Sequence, residues 1–104
     1  MLVAYDDGLT AHLSGVPHPE QPDRVRVVAD ELRRRGMFGE RVDARVARPD
    51  ELSCVHPASY IELVRRTCAS LESGDVAQLV TGDTLVVAGS YEGAARAAGA
   101  TLVA

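Results

Sequence analysis

The sequence predicts an α/β fold built on a parallel sheet, and three observations predict it. Short apolar runs of strand character alternate with segments of helical period along the chain. The first run, Met1 to Tyr5, breaks at Asp6-Asp7-Gly8, as a buried strand does on opening into a loop. The clearest period falls on Tyr60, Leu63, Val64, Thr67, Cys68 and Leu71, which share one face of a helix.

Taken in order, the strand at residues 1–5 is followed by residues 6–21. These hold Gly8, Gly15, Pro17 and Pro19 and no helical period, so they read as a long loop of the kind that often carries function. Pro22 suits the first turn of a helix, where its missing N–H costs nothing. Val25, Val28, Ala29 and Leu32 then recur at helical spacing, and Gly36 supplies the stop. The basic run Arg33-Arg34-Arg35 falls in the last turn, where cations complement the negative end of the helix dipole. Val42 to Ala47 alternates as a half-buried strand would, and Pro49-Asp50-Glu51-Leu52 reads as a short helical turn. The helix that includes residues 60–71 ends before Ser73-Gly74-Asp75. "VAQLV" and "TLVVA" carry strand propensity but are too short to assign by period. Ser90 reads as the N-cap of a last helix with Glu92 in its first turn, and Ala94, Ala95, Ala97 and Ala98 give it a small face. The chain closes on the apolar "AGATLVA" without a stop signal, so residues 1–104 are expected to be a single partial domain, truncated within its fold.

The composition limits the function. Hydrophobic residues make up 46% and charged residues 25% of 104 residues, the balance of a globular chain. Phe38 and three tyrosines are the aromatic content, so the core must be built from Val, Leu and Ala, and weak stability in isolation is expected. A net charge of -4 argues against a nucleic-acid partner, because phosphate contacts need a basic face. No apolar run approaches the roughly 20 residues of a membrane span. The opening residues reach Asp6 and Asp7 before a signal peptide could form, and the expected setting is cytoplasmic. Cys54 and Cys68 make neither a disulfide framework nor the four ligands of a structural zinc site.

The candidate chemistry is sparse. His18 and Glu20 form an i, i+2 pair in a proline-rich loop, readable either as a base with an orienting acid or as a loop fastening. His56, before Pro57, reads as a helix-start residue. His12 lies in the loop after the first strand, where open α/β sheets bind ligands, so its position is the most suggestive of the three. Asp6 and Asp7 before Gly8 read as a turn. Asp83, in "TGDTL", is either a turn acid or a rim contact. No H-x-x-x-H, D-x-H, phosphate loop or nucleophile elbow occurs.

Four stretches in order change what can be said: "YDDGLTAH", "HPEQPDRVRVVADELRRRGMF", "RPDELSCVHPASYIELV" and "GDTLVVAGSYEGAARAAGATL". Together they resemble the N-terminal part of the zinc-dependent histone deacetylase superfamily, above all its bacterial acetoin-utilisation and acetylpolyamine amidohydrolase types. The resemblance runs from Leu2 to Ala104, with Gln21 where the family commonly has Arg and Asp23 where it has Glu. It implies the N-terminal portion of an arginase/deacetylase-type α/β fold around a parallel sheet. It also implies an enzyme that hydrolyses acetyl-lysine or a small acetylated amine through a zinc ion held by two aspartates and a histidine. None of those ligands, nor the family's G-H-H segment or tyrosine, has a counterpart here, and His12, His18 and His56 match none of them.

What carries over is narrower. Asp83 matches the position of a rim aspartate that binds the substrate's backbone amides, and His12 falls in the loop forming one wall of the entrance. The H-P-E motif of His18 and Glu20 is structural by resemblance. This chain is therefore expected to supply scaffold and rim to the remainder of a deacetylase domain. It is expected to hold no catalytic residue, to bind no zinc and to be inactive alone. Two other readings stay open: a non-enzymatic or pseudo-enzyme module on the same scaffold, and a flavodoxin-like domain holding a small ligand in the loop from Asp6 to Gln21.

Overall fold

In the computed structural model, which describes residues 2–104, β1 (Leu2–Ala4) lies parallel to β2 (Glu40–Val42). Leu2 pairs with Glu40, Val3 with Arg41 and Ala4 with Val42, and the Tyr5 N–H extends the ladder to the Val42 carbonyl at 3.2 Å. Helix α1 (Asp23–Arg34) lies between the two strands in sequence, so the pair has the strand–helix–strand order expected of an α/β fold. The anticipated buried first strand is half-exposed at its start, with Leu2 45% exposed.

Pro22 precedes α1 in helical conformation and is itself buried. At the far end Gly36 adopts φ +66°, its N–H donates to the Arg33 carbonyl at 3.0 Å, and the Met37 N–H donates to the Leu32 carbonyl at 2.8 Å. This is a Schellman ending, which asks for glycine at the left-handed position. The basic run does more than face the dipole. The Arg33 guanidinium lies 4.5 Å over the Phe38 ring, and Phe38 meets Tyr5 edge-on at 5.8 Å. Arg34 and Arg35 both bind Glu31. Of the anticipated apolar face Ala29 is buried, whereas Val28 is 59% exposed, because no layer lies over it.

The strand anticipated at Val42 to Ala47 is displaced toward the N-terminus. Pairing stops at Val42 because β1 ends at Ala4 and offers residues 43–47 no partner edge. Those residues stay extended and lie on α4 (Ser90–Val103) instead. Ala44 and Ala47 are buried, and the Ala47 N–H donates to the Ala95 carbonyl at 2.9 Å. Helix α2 (Pro49–Leu52) is the expected short turn. Helix α3 (Ala58–Ala69) follows Pro57, with Ile61 and Cys68 as its buried positions, so the inward face is turned slightly from the one anticipated.

The two ambiguous runs form a small antiparallel hairpin, β3 (Ala77–Gln78) and β4 (Leu85–Val86). Its Leu79 and Val86 pack with Cys68 of α3 into a buried cluster, flanked by Val64, Leu71 and Tyr91. Helix α4 lies against the first loop and residues 44–47 through Gly93, Ala95 and Gly99 rather than through Ala94 and Ala97, which are exposed on the wall of an open cavity. Ser90 is its first residue, not its cap. No helix among the described residues is long and apolar enough to cross a membrane.

Candidate functional site

The loop after β1 is more ordered than its composition suggests. Asp6 accepts the Gly8 N–H at 2.8 Å and starts a 3-10 turn, Asp7–Thr10, so the two acids do form a turn. Asp6 also meets Arg96 of α4 at 3.3 Å, and the same guanidinium reaches the Ala44 carbonyl at 3.4 Å and Glu92 at 2.8 Å. Arg96 thus ties the loop, the segment after β2 and α4 together. The chain then buries Leu13 completely, at the cost of a left-handed backbone (φ +55°), which side-chain-bearing residues adopt only under constraint.

Helix α4 lies directly on this loop. A Cβ at Gly89 would stand 3.1 Å from the Ala11 carbonyl oxygen, and one at Gly93 would stand 3.3 Å from the His12 nitrogen. That close approach delivers His12 to Ser90, 78 residues away in sequence, with 2.7 Å between His12 Nδ1 and Ser90 Oγ. Ser90 is buried, and its hydroxyl also accepts the Val87 N–H at 2.8 Å. On the opposite side of the ring, His12 Nε2 stands 3.6 Å from a Glu20 carboxylate oxygen. That distance brings opposite charges together if the ring is protonated, but it is too long for a direct hydrogen bond.

His12, Glu20, Tyr60, Leu79, Thr84 and Ser90 line one cavity of about 380 Å³, drawn from the loop, α3, the hairpin and α4. A larger opening of about 590 Å³ separates α1 from β1; His12 and Glu20 reach its wall too, but most of it is aliphatic and aromatic, with Val3, Tyr5, Val25 and Phe38. The smaller cavity is the candidate site, because its polar groups converge from four segments in an otherwise apolar wall.

The pairing anticipated between His18 and Glu20 is replaced by another. His18 Nδ1 accepts the Glu20 N–H at 3.0 Å and so fastens the loop, while the Glu20 carboxylate turns to His12. His56 is exposed at the start of α3, its ring 5.4 Å from that of Tyr60. Asp83 is exposed in the turn joining β3 to β4, next to Thr84 on the cavity wall. Cys54 is exposed, and burial raises the Cys68 thiol above its ordinary value, which suits an inert packed thiol. Ser90 was not anticipated as a partner for His12, and no local signal marks it, since a contact across 78 residues leaves no periodicity.

A catalytic zinc does not fit the residues present. Among those described, no group of three or more His, Cys, Asp or Glu side chains converges closely enough to hold a metal ion.

The model of the "Histone deacetylase domain" family matches residues 18–104, a range that includes Asp83 and leaves out His12. The acetoin utilization protein AcuC of Bacillus subtilis (strain 168) is 34% identical over 105 residues, covering 96% of this chain and 27% of that protein. Histone deacetylase 15 of Arabidopsis thaliana is 33% identical over 78 residues, covering 68% of this chain and 14% of that protein. Among solved structures, the crystal structure of the HDA15 HD domain matches with a TM-score of 0.78 at 30% identity, over 95% of this chain and 29% of that one.

Proposed function

This chain belongs to the histone deacetylase family, and from that premise we propose that it is the N-terminal scaffold and rim of a zinc-dependent deacetylase. The substrate class is acetyl-lysine or a small acetylated amine, and the reaction is hydrolysis of the acetyl amide. What supports this reading is the family match across residues 18–104 together with the fold match to a deacetylase domain over 95% of the chain. The zinc and its ligands belong to segments outside these residues, so no catalytic step is assigned to a side chain here. The contribution of this chain is to position and to bind, in a cytoplasmic setting.

In this reading Asp83 and His12 are the substrate-side residues. Asp83, at the tip of the β3–β4 turn, accepts backbone N–H groups of a peptide substrate. A carboxylate acceptor is about twice as strong as a neutral one. His12 forms one wall of the entrance through the cavity it shares with Glu20. The remainder of the domain is the chain's main partner, and it covers the opening between α1 and β1.

The test is made on the whole enzyme that contains this chain. Asp83→Ala should lower kcat/KM for an acetylated peptide roughly tenfold or more, the loss expected when a charged acceptor is removed. Turnover of a small acetylated amine, which has no backbone N–H to bind, should change far less. Equal losses on both substrates remove Asp83 from the rim. Absence of chelator-sensitive deacetylation in the whole enzyme overturns the reading itself.

A further inference from the structure

Ser90, His12 and Glu20 form a chain of polar groups in a definite order. The Val87 N–H donates to Ser90 Oγ at 2.8 Å, Ser90 Oγ stands 2.7 Å from His12 Nδ1, and His12 Nε2 faces Glu20 at 3.6 Å. We propose that Ser90 is a positioning residue that holds neutral His12 as the Nε2–H tautomer, so that the cavity wall presents a ring N–H donor beside the Glu20 carboxylate.

Two independent observations lead to the same tautomer. A backbone N–H can only donate, so Val87 takes one lone pair of the Ser90 hydroxyl, which keeps its hydrogen and one lone pair. Among the described residues His12 Nδ1 is the acceptor within reach of that hydrogen, and donating to it leaves no buried O–H unpaired. With Nδ1 accepting, the ring's own hydrogen must sit on Nε2. Glu20 favours the same placement from the far side: a ring N–H facing a carboxylate attracts it, whereas a lone pair in that position repels it. The reverse tautomer would leave the hydroxyl hydrogen of a buried serine to find another acceptor and would turn a lone pair toward Glu20.

The arrangement shapes what the cavity recognises. Ser90 is held at the start of α4 and buried, so it acts through His12 rather than on an occupant. At 3.6 Å from Glu20 the Nε2–H makes no direct hydrogen bond to it, and the two groups together offer a donor and an acceptor to one polar partner. An amide edge, with one carbonyl and one N–H, matches that pair. This recognition rests on the deacetylase reading above; the tautomer does not.

The experiment is a long-range proton–nitrogen correlation of the imidazoles in the nitrogen-15-labelled chain at about pH 8, above the ordinary imidazole range. His18→Gln and His56→Gln assign the signals. His12 is expected to show a protonated Nε2 and an unprotonated Nδ1. Ser90→Ala should move the pattern toward a mixture of both tautomers, with the residual Nε2–H preference that Glu20 gives, and speed exchange of the Val87 amide about fivefold, as expected for one lost hydrogen bond. Ser90→Thr should restore both. Glu20→Ala, on an exposed loop, should keep the Nε2–H pattern.

A proton on Nδ1 in the unmutated chain overturns the proposal even if Ser90→Ala does not fold. So does a mixed pattern in Glu20→Ala, which would make Glu20 the group that sets the tautomer. Because the readout is independent of activity, these outcomes are distinct from a failure of the deacetylase reading.

Discussion

Glu51 shows how one carboxylate can carry several roles. Its side chain takes two hydrogen bonds from Arg45, at 2.8 and 2.7 Å, and one from the Arg48 N–H at 2.8 Å, which satisfies a free donor at the start of α2. The Arg45 guanidinium, then the Arg48 N–H, hold the carboxyl down at about 2 against an ordinary 4.5. A carboxylate whose folded value is depressed stabilises the fold above its unfolded value, and that contribution fades as the pH falls from 4.5 through about 2. Glu62, held at about 2 by Arg65, acts in the same window. Its side chain is 42% exposed against 18% for Glu51, so solvent screens it more. Thermal melts should therefore fall between pH 4.5 and 2, and Glu51→Gln should flatten that slope more than Glu62→Gln. A steeper or unchanged slope in Glu51→Gln would refute the assignment. Leu13, 0% exposed, is the residue whose truncation should hurt most, and Leu13→Ala should cost about 2–5 kcal/mol in denaturant unfolding. The burial of Leu13 is not legible in the sequence, and Ser90 reads there only as a helix cap. Leu13 sits in a stretch without period, and the partner of Ser90 is distant.

Among the elements, α4 depends on close approach rather than on large side chains. A Cβ at Gly99 would collide with the backbone carbonyl of Arg45, an atom that cannot swing aside. At Gly93 the nearest atom is the His12 nitrogen at 3.3 Å, a contact that a small shift relieves. Gly99→Ala should therefore unfold or strongly destabilise the chain despite alanine's better helix propensity. Gly93→Ala should change the melting temperature only slightly. Comparable melts for the two variants would show that residues 45–47 do not lie on α4 as described. The short alanine face was legible in the sequence, but the contacting positions were not. Period gives a helix face only to within a turn, and the segment that selects the face, residues 44–47, was anticipated as a strand. Helix α1 was the most legible element, since Pro22 and Gly36 mark its ends by local backbone chemistry alone.

The whole molecule is loosely built. Its accessible surface is 6635 Å², against about 5,700 Å² for a compact monomer of this 11.1 kDa mass. Its radius of gyration is 14.5 Å, where about 13 Å is typical of this length. The excess lies partly over α1, where Val27 is 66% exposed and Val28, on the wall of the opening to β1, is 59% exposed. The chain spans 14% and 27% of the two curated relatives named above, and an exposed apolar surface of this kind suits a segment that packs against more of the same domain. Alone, it should melt below about 45 °C, the lower end of the range for ordinary domains. Val28→Lys should leave that melt within about 0.5 kcal/mol, because the side chain already faces solvent. In the whole deacetylase domain proposed above, the same substitution should lower stability. A large loss in the isolated chain would mean that α1 is already covered there.

The sequence by itself determined the α/β class, the helix that follows H-P-E, the short turn at Pro49–Leu52 and, through four motifs in order, the family. These rest on local backbone preferences and on patterns that survive in one dimension. Only the tertiary structure decided that β2 ends at Val42, that Gly93, Ala95 and Gly99 rather than Ala94 and Ala97 bear the contact, and that Glu20 turns from His18 to His12. Each of these is a choice between partners far apart in the chain. Such choices follow from which surfaces meet when the chain packs, and no spacing within a single segment encodes that.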